Sequence, residues 1–190
     1  MRSDWTTYAL CIVLTLFAGV AGAAELAGIT MPDKVTVEDK DLTLNGLGLR
    51  EASMLKVDVY VAGLYLEETS SDAQAILDSD QVKRIHMDFV YKKVAVKKMT
   101  KAWVEGLEAN APDAFASLSE PLAQLNGWME EMVMGDTMTF TSVPGKGLEV
   151  TVKEKRKGVI EDESFSRAFW SIFLGPEPPN EGLKTGLLGQ

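Results

Sequence analysis

Apolar and polar residues alternate strictly from Leu55 onward. Leu55, Val57, Val59 and Val61 fall on one parity, and Lys56, Asp58, Tyr60 and Ala62 on the other. A period of two over eight positions predicts a strand, and the β-branched residues suit its pleated surface. Gly63 reads as a bulge ahead of Leu64 and Leu66. Upstream, Val35 and Val37 followed by Leu42 and Leu44 predict a hairpin turning at Glu38-Asp39, with Asn45-Gly46 and Gly48 read as a break or turn after it. A short helix over 73–77 follows a cap at Ser70 or Ser71. Ile85, Met87, Phe89 and Tyr91 share one parity of a strand over 82–91. The period then lengthens: Val96, Met99, Trp103 and Leu107 recur at helical spacing, which predicts a helix over 94–109 that ends before Pro112.

Phe115, Leu118, Leu122, Leu125, Met129 and Met132 continue the helical period, divided by Pro121 into two helices, the second capped by Ser119. Segments 137–143 and 148–153 predict a hairpin around Pro144-Gly145-Lys146-Gly147, and 159–160 a short further strand. Asp162 caps a helix carrying Phe165, Phe169, Ile172 and Phe173, Gly175-Pro176 stops it, and a last short helix covers 180–188. Strands, then helices, then strands, then helices: this order predicts an α+β fold with an antiparallel sheet and helices on one face.

The N-terminus follows a different rule. Arg2 precedes an apolar run over 8–20 and the small residues Ala21-Gly22-Ala23-Ala24, which is the layout of a signal peptide cleaved after Ala23 or Ala24. An uncleaved anchor is the alternative, although the run is short for a bilayer. The expected organisation is a leader over 1–24 and one domain over 25–190, exported and periplasmic, with no stable membrane insertion after cleavage. The only cysteine, Cys11, lies in that leader, so the remaining chain has no thiol for a disulfide, a metal or nucleophilic attack. The formal net charge of −9 argues against nucleic acid and anionic lipid surfaces, which select basic footprints.

Histidine chemistry rests on His86 alone, and it falls on the polar parity of its strand. No phosphate-binding P-loop, dinucleotide fingerprint or nucleophile elbow occurs, and no cofactor is expected. The lysines at 92, 93, 97, 98 and 101 read as a solvated helix face. Met87, Met99, Met129, Met132, Met134 and Met138, with Trp103 and Trp128 among them, read as core. Core is the leading reading; their unbranched, polarizable side chains would also suit a pocket for a flexible apolar ligand. Arg50, between a glycine-rich turn and the strongest strand, is either an anion fork or the partner of a surface acid such as Glu51.

L-N-G-L-G-L-R (44–50), V-Y-V-A-G-L-Y-L (59–66), S-R-A-F-W-S-I-F-L-G (166–175) and G-L-K-T-G-L-L-G (182–189) together resemble the chalcone-isomerase-like family from about Leu42 to the C-terminus. The resemblance implies an open-faced β-sandwich, a large antiparallel sheet under helices, with a ligand between the two layers. It implies one of two activities: ring closure of a chalcone, or binding of a fatty acid by an arginine and a tyrosine. The family arginine falls on Arg50 and the following hydroxyl position on Tyr60, where the enzyme branch has threonine and the fatty-acid binders tyrosine. The enzyme's tyrosine and asparagine fall near Met99 and Gly106, and a late hydroxyl falls on Ser166.

The expected ligand-binding set is therefore Arg50, Tyr60, Met99, Trp103 and Ser166, and the expected partner is a small apolar carboxylate or other amphiphile. No protein partner is indicated. The alternatives are an isomerase or intramolecular lyase acting on an enone with Arg50 as electrophile, and an interaction protein whose pocket is filled by its own side chains.

Overall fold

The computed structural model describes residues 22–52 and 56–190. The whole run from 8 to 20 therefore lies, with the expected leader up to residue 21, outside the described residues. Two hairpins come first among the described residues: β1 (Ala23–Leu26) with β2 (Ile29–Pro32), and β3 (Lys34–Val37) with the long β4 (Lys40–Ala52). Glu38 adopts φ 55° at the predicted turn. β5 (Val57–Leu66), β6 (Lys83–Phe89), β7 (Thr137–Val143), β8 (Gly147–Val152) and β9 (Lys155–Ile160) follow. Strands β3 to β9 form one seven-stranded sheet in sequence order, every pairing antiparallel. The helices are α1 (Ala73–Asp78), α2 (Val96–Asn110), α3 (Pro112–Phe115), α4 (Ser119–Gly127), α5 (Glu163–Leu174) and α6 (Glu181–Leu187). This is the α+β arrangement expected, a large sheet with helices on one face.

Alternation explains which face is which. Ile85, Met87 and Phe89 of β6, Met138 and Phe140 of β7, and Leu148, Val150 and Val152 of β8 join Trp103, Leu107, Phe165, Phe169 and Phe173 of the helices in one buried cluster. The opposite parity is mostly polar and touches itself: Arg84 Nε donates to Thr141 Oγ1 at 3.0 Å, and His86 Nδ1 lies 2.8 Å from Thr139 Oγ1. One patch of that face is apolar, with Val37, Leu42, Tyr65 and Val82 buried together, and Tyr65 donates to the Pro32 carbonyl at 3.0 Å.

Several local expectations are corrected. Asn45-Gly46 and Gly48 do not break the chain but lie inside β4, with a register shift between Leu44 and Gly46. Gly63 is not a bulge. It pairs regularly with Leu47 and His86, and a Cβ there would lie 2.5 Å from Met31 Sδ of the covering hairpin. Asp72, not Ser70 or Ser71, caps α1, accepting from the amides of Gln74 and Ala75. Met129 and Met132 lie beyond the end of α4. The β1–β2 hairpin has no period strong enough to be read from sequence, and cleavage after Ala23 or Ala24 would remove one or two of the four β1 residues.

Candidate functional site

Arg50 and Tyr60 are ten positions apart in sequence, and the chain must reverse for them to meet. It does so between the end of β4 at Ala52 and the start of β5 at Val57, and Lys56 takes φ 48° in that reversal. Arg50 is then the cross-strand partner of Tyr60, and Tyr60 that of Phe89 on β6. Directly opposed residues of an antiparallel pair share a face, so Arg50 stands on the side that Tyr60 buries against the helices. The tyrosine and phenylalanine rings are 5.5 Å apart. By parity, placing Tyr60 inward would turn Lys56 and Asp58 toward the core as well. The strand escapes this because Lys56 and Asp58 lie at its exposed end, while Tyr60, Ala62, Leu64 and Leu66 are buried.

The guanidinium is held from an unexpected direction. Arg50 donates through one terminal nitrogen to the carbonyl of Glu51 and to Asn180 Oδ1. Asn180 directly precedes α6. Its side chain spans the end of β4, accepting from Glu51 N at 3.3 Å and donating to Leu49 O at 3.1 Å. Asn180 entered the sequence reading only as the start of a helix; no pattern pointed to its role as a clamp. Burial holds the Tyr60 phenol protonated well above its ordinary range, with the Arg50 charge pulling weakly the other way. The pair thus offers a fixed positive charge and a neutral hydroxyl donor, the complement of a carboxylate.

Met99 and Trp103 lie on the inner face of α2, buried in the same cluster as Tyr60. Trp103 packs against Phe140, Phe169 and Phe173 at ring separations of 5.7, 6.1 and 6.2 Å. Side chains fill that part of the interlayer space. The Trp103 indole N–H is buried without a hydrogen-bond partner among the described residues. Gly106, one turn further along α2, lies so close to α5 that a Cβ would meet Ile172 Cγ2 at 2.8 Å.

Ser166 does not join the Arg50–Tyr60 pair. It is buried on α5, its hydroxyl 2.6 Å from that of Ser142 on β7, and the Trp170 indole donates to Ser142 at 2.7 Å. Ser142 pairs with Lys83, six positions along β6 from Phe89. At the rise of a strand that is roughly 20 Å from the tyrosine row. A separate open concavity of about 580 Å³ lies between the β1–β2 hairpin and β4, lined by Leu26, Leu44 and Leu47 among others.

The sequence profile of the chalcone isomerase-like family matches residues 23–189. No curated protein matches in sequence. A crystal structure of a fatty-acid binding protein from Arabidopsis thaliana superposes with a TM-score of 0.70 at 18% identity, covering 88% of this chain and 96% of that one. At that identity the likeness is one of fold.

Proposed function

Starting from the chain's membership of the chalcone isomerase-like family, we propose that it binds a fatty acid or similar small apolar acid without transforming it. The observation that carries the reading is the cross-strand pairing of Arg50 with a buried, protonated Tyr60 on the helix-facing side of the sheet. The comparison with a plant fatty-acid binding protein of the same fold supports it. The carboxylate accepts from the guanidinium and the phenol. The tail runs inward past Phe89 and Met99, where a thioether and a single ring can shift without loss of a hydrogen bond. Trp103 adds an unused donor: an indole N–H stranded in an apolar core costs about 1–3 kcal/mol until an acceptor reaches it.

A second reading, a protein whose interlayer space is permanently filled, is favoured by the close packing of Trp103, Phe140, Phe169 and Phe173. Lipid extraction after mild purification from the native host, followed by titration with a long-chain acid and its alcohol, separates the two. A co-purifying acid, and acid binding that Arg50→Gln weakens, support the first reading. No bound lipid and no titratable acid support the second.

A further inference from the structure

The cleft beside Ser166 has a composition that the fatty-acid reading leaves unused. It is small, about 40 Å³, and opens where β6 and β7 meet α5. Lys83 lies on the inward parity of β6, in line with Ile85 and Met87, and is only 5% exposed. Among the described residues its ammonium makes one hydrogen bond, to the Ser79 carbonyl at 2.6 Å. An ammonium carries three donors, so two remain. Buried lysines are ordinarily paired with a carboxylate. Here Asp80 and Asp78 act on Lys83 only at longer range, while the Arg167 charge opposes it. Asp80 is already engaged by Arg167 at 3.2 Å, and Glu163 by the amide of Gly145 at 2.9 Å.

The serines add a further donor. Trp170 N–H, Ser142 O–H and Ser166 O–H make three donors. Within the trio there are two hydrogen bonds, indole to Ser142 and hydroxyl to hydroxyl. Whichever serine donates to the other, one hydroxyl proton is left without an acceptor in the trio. Ser142 and Lys83 are cross-strand partners, so this proton and the free ammonium donors line the same small cleft.

We propose that this cleft is a binding site for a small oxyanion, a carboxylate or phosphate group, held by the Lys83 ammonium and the Ser142–Ser166 hydroxyls. Arg167 at its rim, tethered to Asp80, supplies further positive potential at the mouth. The site is separate from the Arg50–Tyr60 pair and stands whether or not that pair binds a fatty acid. Burial and Arg167 together hold the Lys83 amine below its ordinary value; a bound oxyanion reverses that effect and satisfies the leftover donors at once.

The test uses the full chain near neutral pH and follows the Trp170 indole N–H by NMR, since that proton sits on Ser142. Inorganic phosphate, titrated at constant ionic strength against chloride, is expected to shift this resonance in a saturable way. Lys83→Met should weaken binding at least about tenfold, because a charge-assisted contact is lost, while Lys101→Met, an exposed lysine on α2, should titrate like wild type. If Lys83→Met does not give a folded spectrum, Ser166→Ala carries the same test, and a weaker phosphate response is expected. A glycerol phosphate arm separates sources: equal binding of both probes marks a site open to a carried headgroup, and binding of inorganic phosphate alone marks a free-ion site. No saturable shift, or a shift that neither Lys83→Met nor Ser166→Ala alters, overturns the proposal.

Discussion

In the proposed site Arg50 would act through charge and Tyr60 through a neutral donor, and each has its own signature. Arg50→Gln is expected to weaken binding of a long-chain acid about 10- to 100-fold, the loss of a charge-assisted hydrogen bond of roughly 1.5–3 kcal/mol. The matching alcohol, titrated by calorimetry, should bind wild type and variant alike. Asn180→Ala should reproduce part of that loss without touching the ligand, because Asn180 both receives the guanidinium and ties down the Leu49 carbonyl; the same calorimetric titration reads it. Chalcone cyclisation should stay within noise of the spontaneous rate in an absorbance assay. By the family resemblance one of the enzyme's donor positions falls near Met99, and removing a preorganised donor costs about 10²–10³ in rate. By the same resemblance the other falls near Gly106, where a Cβ would already meet Ile172 Cγ2 at 2.8 Å. Arg50 and Tyr60 were legible only through family resemblance, since by pattern alone an arginine after a glycine-rich segment is as readily a surface charge. Ser166 was drawn to the same site by that resemblance. Its position in the fold is set by where α5 crosses β7, which no local pattern encodes.

At the scale of elements, two motifs far apart in sequence turn out to be two halves of one contact. A Cβ on Gly46 would stand 2.1 Å from the Gly186 carbonyl, one on Gly48 2.3 Å from that of Leu183, and one on Gly186 2.2 Å from that of Leu47. The glycines are there so that α6 can lie backbone to backbone on β4. Asn45 locks the contact by donating to the Leu187 carbonyl at 2.8 Å. Reading Gly46 and Gly48 as turn residues failed because glycine marks close approach as well as reversal, and one strand of sequence cannot distinguish them. Gly48→Ala is expected to cost about 2 kcal/mol or more in denaturant unfolding, since backbone must move to admit the methyl. Elements with a strong period, β5 to β8, α2 and α5, were readable within a few residues, whereas β1 and β2 are four-residue strands whose order depends on the sheet beneath them.

Over the whole molecule, each face of the sheet carries a tyrosine whose phenol burial keeps protonated, so both faces are sensitive to alkali. Burial, with the neighbouring Asp88 charge, pushes the Tyr65 phenol up to about 12. A group whose folded value is raised contributes stability that is intact below its unfolded value near 10 and is lost as pH rises through the folded one. The β1–β2 side should therefore loosen between about pH 10 and 12, by on the order of 2 kcal/mol at the upper end. Tyr65→Phe should lose about 1 kcal/mol at neutral pH with the Pro32 hydrogen bond, and show a shallower alkaline decline in thermal scans.

The contact between β4 and α6 also has a consequence for biosynthesis. Asn45 and Leu187 are separated by 142 positions, and Arg50 from its clamp Asn180 by 130. A nascent chain grows from its N-terminus, so β4 emerges early and waits, its glycine-lined surface bare, until α6 appears. Closing so long a loop is slow relative to the local hairpins of β5 to β9. The Asn180 clamp on Arg50 therefore closes late, after the local β4–β5 hairpin that pairs Arg50 with Tyr60. A deletion reaching Asn180 would take the clamp from a pair whose own residues lie in the first third of the sequence, and would leave most of the meander sheet to form without it.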